Sequence, residues 1–174
     1  MNKDSFFLRA LDSFSASYDI ERDAQVLSRR VDAKATFRAL NSKYVLSKKH
    51  VLWEANAFEH MLFVKADCLT KDMVADWFSF LTGEAEAELV HPGQPCPPEG
   101  HMYTYLTLVF LCDTAQEDAL REVRRAKFTK NYRFSLRGWA TARTAAVALG
   151  DGRVEANAAG RDIGKHLKKL LSKP

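Results

Sequence analysis

The chain has 174 residues, 47% apolar and 28% charged, with a net charge of +4. Eleven Phe, five Tyr and three Trp exclude a disordered chain, which is poor in aromatics. A chain of this length buries a core without disulfides or a structural metal, and no apolar run approaches the roughly 20 residues of a membrane-spanning helix.

The first segment, "MNKDSFFLRALDSFSASY", places Phe7, Leu11, Phe14 and Tyr18 on one helical face, with Asp4 or Ser5 as N-cap. Its early acids and lack of a long apolar stretch make it a folded helix rather than a signal peptide. Residues 19–31 are polar and read as a connector. Residues 31–47 and 50–66 read as extended structure, the second with the apolar run Met61 to Val64 of a central strand. "TKDMVADWFSFLTG" is a helix capped by Thr70 and stopped by Gly83, with Met73, Trp77 and Leu81 inward. Four of the five prolines fall in residues 91–101, so a stiff surface loop is expected there.

Residues 102–112 form an apolar strand. Thr114 and Glu117 then make a capping box that opens a helix to about residue 127. Residues 131–149 read as a long strand, "GDG" as a hairpin turn, and 153–159 as the return strand. Residues 161–174 close the chain as a basic helix with Ile163, Leu167 and Leu170 inward. Hairpins mixed with helices predict a single α+β domain over residues 1–174. Its sheet is expected to be mainly antiparallel, with five to six strands and four helices packed on it.

Charge divides unevenly along the chain. Residues 1–120 hold 12 basic and 18 acidic side chains, and residues 121–174 hold 14 and 4. The segment 124–143, "RRAKFTKNYRFSLRGWATAR", has seven cations, four aromatics and no acid. Arg124, Arg125, Lys130, Arg133 and Arg137, with Lys168 and Lys169 of the last helix, are the residue types of a phosphate-holding surface. Strand alternation, however, directs Tyr132, Phe134 and Leu136 to the core and Arg133 and Arg137 to water. That arrangement withholds the aromatics from stacking on bases.

A second set of residues suits a ligand pocket. On one uninterrupted strand, Glu54, Asn56 and His60 share a face, a carboxylate and an imidazole able to act as acid and base, while Glu59 points the other way. His101, Tyr103, Tyr105 and Thr107 share a parity on the next strand and suit a pocket wall or a subunit interface, with Trp139 beyond Gly138 as a further lining residue. His91, Cys96 and His101 are metal-ligand types, but their spacing fits no metal motif, so no metal and no cofactor are expected. Nucleotide-loop, zinc-protease and serine-hydrolase motifs do not occur.

Three cysteines without a CxxC pair suit a reducing compartment, hence a cytoplasmic protein. The leading reading is a non-catalytic binding or interaction domain that self-associates, with no membrane partner. The alternatives are a nucleic-acid or acidic-partner binder using residues 121–143 and the last helix, and a small-molecule enzyme with its site near Glu54, His60 and His101.

Overall fold

The computed structural model describes the backbone of residues 2–44 and 51–172 and the side chains of residues 2–40 and 55–172. In chain order the elements are α1 (Lys3–Phe14), β1 (Asp19–Val26), β2 (Arg29–Tyr44), β3 (Val51–Leu69), α2 (Lys71–Thr82), α3 (Glu84–Val90), β4 (His101–Ala115), α4 (Glu117–Arg125), β5 (Thr129–Asn131), β6 (Trp139–Ala148), β7 (Arg153–Ala156) and α5 (Arg161–Leu171). α2 and α3 abut at Gly83, so the described residues hold four helical units around one seven-stranded sheet.

The fold is α+β as expected, but the sheet is mixed rather than mainly antiparallel. Strand order is β1-β2-β3-β4-β6-β5, with β7 also paired to β6. β1, β2 and β3 form an antiparallel meander. β3–β4 and β4–β6 are parallel. The reason lies in the connections. α2, α3 and the proline loop return the chain to the starting end of the sheet before β4, and α4 does the same before β6, as parallel pairing requires. The supposed connector 19–31 is β1 and its turn into β2, with Asp23 and Leu27 at φ 50° and 52°.

Two cores follow from strand alternation. One face carries Leu62, Val64, Leu106, Leu108, Phe110 and Ala146 against Val74, Leu81, Ala119 and Leu120 of α2 and α4. The other carries Met61, Phe63, Val109, Leu111 and Ala145 against Phe6, Leu11 and Phe14 of α1 and Ile163 and Leu167 of α5. α1 is capped by Asn2, whose side chain accepts from the Ser5 amide at 2.8 Å, rather than by Asp4 or Ser5. Thr70 caps α2 as expected. The buried stripe of α2 is Val74, Phe80 and Leu81. Trp77 is half-buried, with the Arg29 guanidinium 4.9 Å from its ring centroid. Thr114 is no cap: β4 runs through it to Ala115, and Gln116 stands at the N-terminus of α4. Residues 91–100 form neither helix nor strand and are mostly exposed. Among the described residues, no helix is long and apolar enough to cross a membrane.

Candidate functional site

The free edge of β6 is shared. β5 pairs with Trp139–Thr141 and β7 with Ala145–Ala148. Buried Asn157 completes the gap between them. Its side chain accepts from the Thr144 amide at 3.1 Å and donates to the Ala142 carbonyl at 3.1 Å. It also joins the exit of α4, through the Ala126 carbonyl at 2.9 Å, to the entry of α5, through the Gly160 amide at 2.8 Å. All the side-chain hydrogen-bonding capacity of this amide that points inward is used, which fixes two helix ends over one sheet edge.

A groove of about 400 Å³ results, with Arg124, Arg161, Lys165 and Lys168 on its walls and Ala156, Asn157 and Gly164 below. Gly164 lets α5 approach β7, since a Cβ there would lie 2.8 Å from that of Ala156. An adjoining hollow of about 270 Å³ shares Arg124 and Asn157 and adds Arg125, Lys127, Phe128 and Thr129. Arg124 pairs with Glu155 at 3.2 Å. Among the described residues Arg125, Lys127, Arg161, Lys165 and Lys168 have no carboxylate partner within ion-pair distance. Arg161, Lys165 and Lys169 are spaced four apart on α5, an arrangement whose mutual repulsion costs a helix about 0.2–0.5 kcal/mol per pair. Arg161 also stands in the first turn, against the helix dipole.

The segment 131–137 is not a strand. β5 ends at Asn131, and Arg133, Phe134 and Ser135 take left-handed conformations at φ 47°, 54° and 68°. Such a conformation costs about 1–2 kcal/mol per non-glycine residue. Phe134 is therefore 100% exposed and Leu136 84% exposed, the reverse of the burial that alternation implies. Arg133 is exposed, as expected, and Arg137 is half-buried against Glu99 at 3.0 Å.

The turn is held firmly. Leu136 N donates to the Arg133 carbonyl and Gly138 N to that of Ser135, both at 3.0 Å, while Arg137 N donates to Tyr132 O at 3.1 Å. Below it, the buried Glu86 carboxylate accepts from the Tyr132 hydroxyl and from Lys130 at 2.8 Å, and lies 3.2 Å from His91 Nε2. Burial acts to raise the Glu86 carboxyl, but the hydrogen bonds from Lys130 and Tyr132 and the nearby charges outweigh it and leave it below the ordinary range. Burial and the Glu86 contact push the Tyr132 phenol up. Gly138, at φ 73°, passes so close to β4 that a Cβ would lie 2.2 Å from the Met102 carbonyl oxygen.

The pocket residues expected from alternation divide between the two faces. The β3–β4 register shifts between Asn56 and Ala57. This irregularity turns His101 away from Tyr103 and Tyr105, onto the face of Phe58 and His60, where it stacks on Phe58 at 6.1 Å. Both nitrogens of His101 are engaged, Nδ1 with the Arg137 carbonyl at 2.7 Å and Nε2 with Thr104 Oγ1 at 2.8 Å. Burial lowers its pKa. His60 is lowered to about 4, by burial first and then by Lys34 and Arg38, and its Nδ1 has no hydrogen-bond partner. Asn56 is half-buried on this face, and the side chain of Glu54 lies outside the described residues.

Tyr103, Tyr105 and Trp139 do assemble on the opposite face. Tyr103 stacks on Trp139 at 5.1 Å, and Tyr105 meets both rings. Behind them sits a network absent from the sequence reading. Buried Glu59 accepts from Tyr18 at 2.7 Å, Thr107 at 2.6 Å and Arg143 at 2.9 Å, and Arg143 continues to Asp162 at 2.5 Å. Its partners come from β1's approach, β4, β6 and α5, so the network clamps α5 to the sheet. Glu86, Asn157 and Arg161 were likewise missed. Only pairing across elements reveals the first two, whereas the run of cations four apart in 161–169 is a sequence signal for the third.

Of the expected polyanion residues, Arg124 and Lys168 line the groove and Arg125 the adjoining hollow, while Lys169 is exposed on α5. Lys130 and Arg137 are held in ion pairs, and Arg133 flanks Phe134. His91 and Cys96 do not converge with His101 on a metal-binding cluster among the described residues. A family model described as a domain of unknown function, DUF8052, matches residues 2–169, and the chain belongs to that family. No curated protein and no solved structure matches the chain.

Proposed function

We propose that this member of the family is a non-catalytic binding domain whose ligand is nucleic acid, gripped by its phosphates in the groove between α4, β7 and α5. The observation that carries this reading is the wall of Arg124, Arg161, Lys165 and Lys168, three of them without a carboxylate partner among the described residues. A helix that sets cations four apart is destabilised by them until an anion arrives. Phosphates supply that anion, and four cations lining one groove offer partners to several of them. The reading reverses the order suggested by the sequence, because Phe134 stands in water beside Arg133 rather than in the core. The acid–base reading loses support, since both nitrogens of His101 are committed to Arg137 and Thr104. Self-association and a cytoplasmic location stay with the proposal as expectations, the first read directly from a sizing column.

The test is fluorescence anisotropy with labelled oligonucleotides at two salt concentrations. If four phosphates are neutralised, affinity for a single strand falls about 50-fold between roughly 50 and 200 mM salt. The triple variant Arg161→Ala, Lys165→Ala, Lys168→Ala binds more weakly and shows a shallower salt slope. Binding that ignores salt, or a triple variant indistinguishable from wild type, refutes the groove.

A further inference from the structure

We infer that the Tyr132–Gly138 turn is a base-stacking device, so that the ligand of the groove is single-stranded nucleic acid with an unpaired base received by Phe134. This inference rests on the proposed function and narrows it to one class of nucleic acid. Phe134 is wholly exposed on a turn of three consecutive left-handed non-glycine residues. Random mobility does not produce that arrangement. The turn is closed by its own backbone hydrogen bonds. It is seated on buried Glu86 through Tyr132, latched by His101 to the Arg137 carbonyl, and pressed onto β4 at Gly138. The fold thus fixes the backbone that carries Phe134 and directs its side chain away from the core. With the backbone already fixed, only the two side-chain torsions of Phe134 are left to order on stacking.

Charge selects the partner. Arg133, exposed, directly precedes Phe134 and has no ion-pair partner among the described residues, whereas Lys130 and Arg137 on either side are paired with Glu86 and Glu99. The hollow lined by Arg125, Lys127 and Thr129 leads onto β5, all of whose residues are exposed, and β5 leads directly into the turn. A phosphate backbone following that edge from the groove arrives at Phe134 with its bases within reach. Stacking on aromatics with cations alongside is how single strands are held without sequence preference. A duplex keeps its base faces covered, so the ring has nothing to stack on there. A second copy of the chain fits less well. A stable interface buries about 800 Å² per partner, whereas one aromatic side chain supplies about 150–250 Å². Beyond Phe134, the exposed large apolar side chains at this end of β4 and β6, among the described residues, are Leu136 and Met102.

The experiment compares wild type, Phe134→Ala, Phe134→Trp and the groove triple variant. The probes are a fluorescein-labelled oligothymidylate, a duplex of equal length, and phosphatidylserine vesicles. Phe134 touches no core residue, so Phe134→Ala folds, and its unfolding midpoint confirms this. The expected result is a loss of roughly 5- to 150-fold in affinity for oligothymidylate in Phe134→Ala. Its salt slope is unchanged and duplex binding is nearly so. Phe134→Trp keeps the affinity, and its added tryptophan emission is quenched by the oligonucleotide. If Phe134→Ala binds oligothymidylate like wild type while the groove variant loses binding, the groove reading stands and the stacking inference falls. If wild type binds neither nucleic acid, both fall. Vesicle binding that Phe134→Ala alone abolishes, with nucleic-acid binding intact, overturns the inference in favour of a lipid-inserting tip.

Discussion

Replacing Asn157 with alanine removes the piece that joins β5, β7, α4 and α5. Three backbone groups lose their partner, the amide of Thr144 and the carbonyls of Ala126 and Ala142, while the Gly160 amide keeps the backbone carbonyl of residue 157 at 3.2 Å. Asn157 is 3% exposed, and three of the four contacts are fully buried. A buried backbone group left without a partner costs about 1–3 kcal/mol. The Ala126 carbonyl, nearest the hollow, recovers most of its loss from water. The two fully buried groups that remain, the Thr144 amide and the Ala142 carbonyl, give about 2–4 kcal/mol at the lower half of that range. With an m-value of about 2 kcal/mol/M in urea, the midpoint falls by about 1–2 M at unchanged slope. Asn157→Asp keeps the shape but turns two donors into acceptors facing carbonyls, and is at least as damaging. Urea unfolding followed by tryptophan fluorescence measures both. A midpoint shift below about 0.5 M in Asn157→Ala would mean that water substitutes for the side chain and that the sheet edge does not depend on it.

Glu86→Gln removes a carboxylate whose folded pKa is depressed. A depressed carboxylate adds stability above its unfolded value and loses it as pH falls through the folded one. The wild type therefore loses stability on acidification below about pH 4.5, and the variant shows a flatter profile in chemical unfolding from neutral pH downward. His60 is lowered to about 4, so the folded state binds its proton less readily than the unfolded state. Stability falls as pH drops from about 6.5 to 4, by up to about 3 kcal/mol from this group. His60→Gln abolishes that part of the slope, and a slope that persists in the variant assigns it elsewhere. Gly138→Ala puts a Cβ against the Met102 carbonyl in a left-handed conformation and destabilises by about 3 kcal/mol or more. A thermal midpoint equal to wild type would show that the turn can move off β4. Arg143→Ala leaves Glu59 buried without its cation and costs about 3–5 kcal/mol by the same measurement.

Sequence periodicity located the central strands because their burial is two-sided. Met61 to Val64 and Leu106 to Cys112 read as apolar runs and lie in the core. Strand direction was not legible, because it depends on where α2, α3 and the proline loop deliver the chain, a distance that no residue type encodes. β1 was missed because only Ala24 and Val26 are buried along its length, so it lacks an apolar alternation strong enough to register. The face of His101 was misjudged for a similar reason. One irregularity beside Asn56 flips it relative to Tyr103, and nothing in "HMYTY" announces the extra residue. Trp77 sits half-buried at the rim because the α2 stripe is displaced toward Val74, and the Arg29 guanidinium covers its ring.

The turn at Arg133–Ser135 is where alternation misleads most, and the physical cause is specific. "YRFSLR" has the period of a strand, and none of residues 133–135 is Gly, Asn or Asp, the types that mark left-handed backbone. Only Gly138 hinted at a close approach. The local preference of these residues is overruled by contacts far away in sequence. Glu86 fixes Tyr132, and His101 fixes Arg137. With both ends set, the four intervening residues close in the space left to them, along a left-handed path that brings Leu136 N to the Arg133 carbonyl and Arg137 N to the Tyr132 carbonyl. The strain resides in the turn and the compensation in buried polar groups of α3 and β4. This division has a consequence for variants. Substitutions at Glu86, Tyr132 or His101 release the strain and let Phe134 fold inward, abolishing display while adding apolar contact. Substitution at Phe134 itself leaves the strain and the fold in place. Proteolysis and unfolding therefore separate the two classes: loss of Glu86 exposes the turn to cleavage at Arg133 or Arg137, and loss of the Phe134 ring does not.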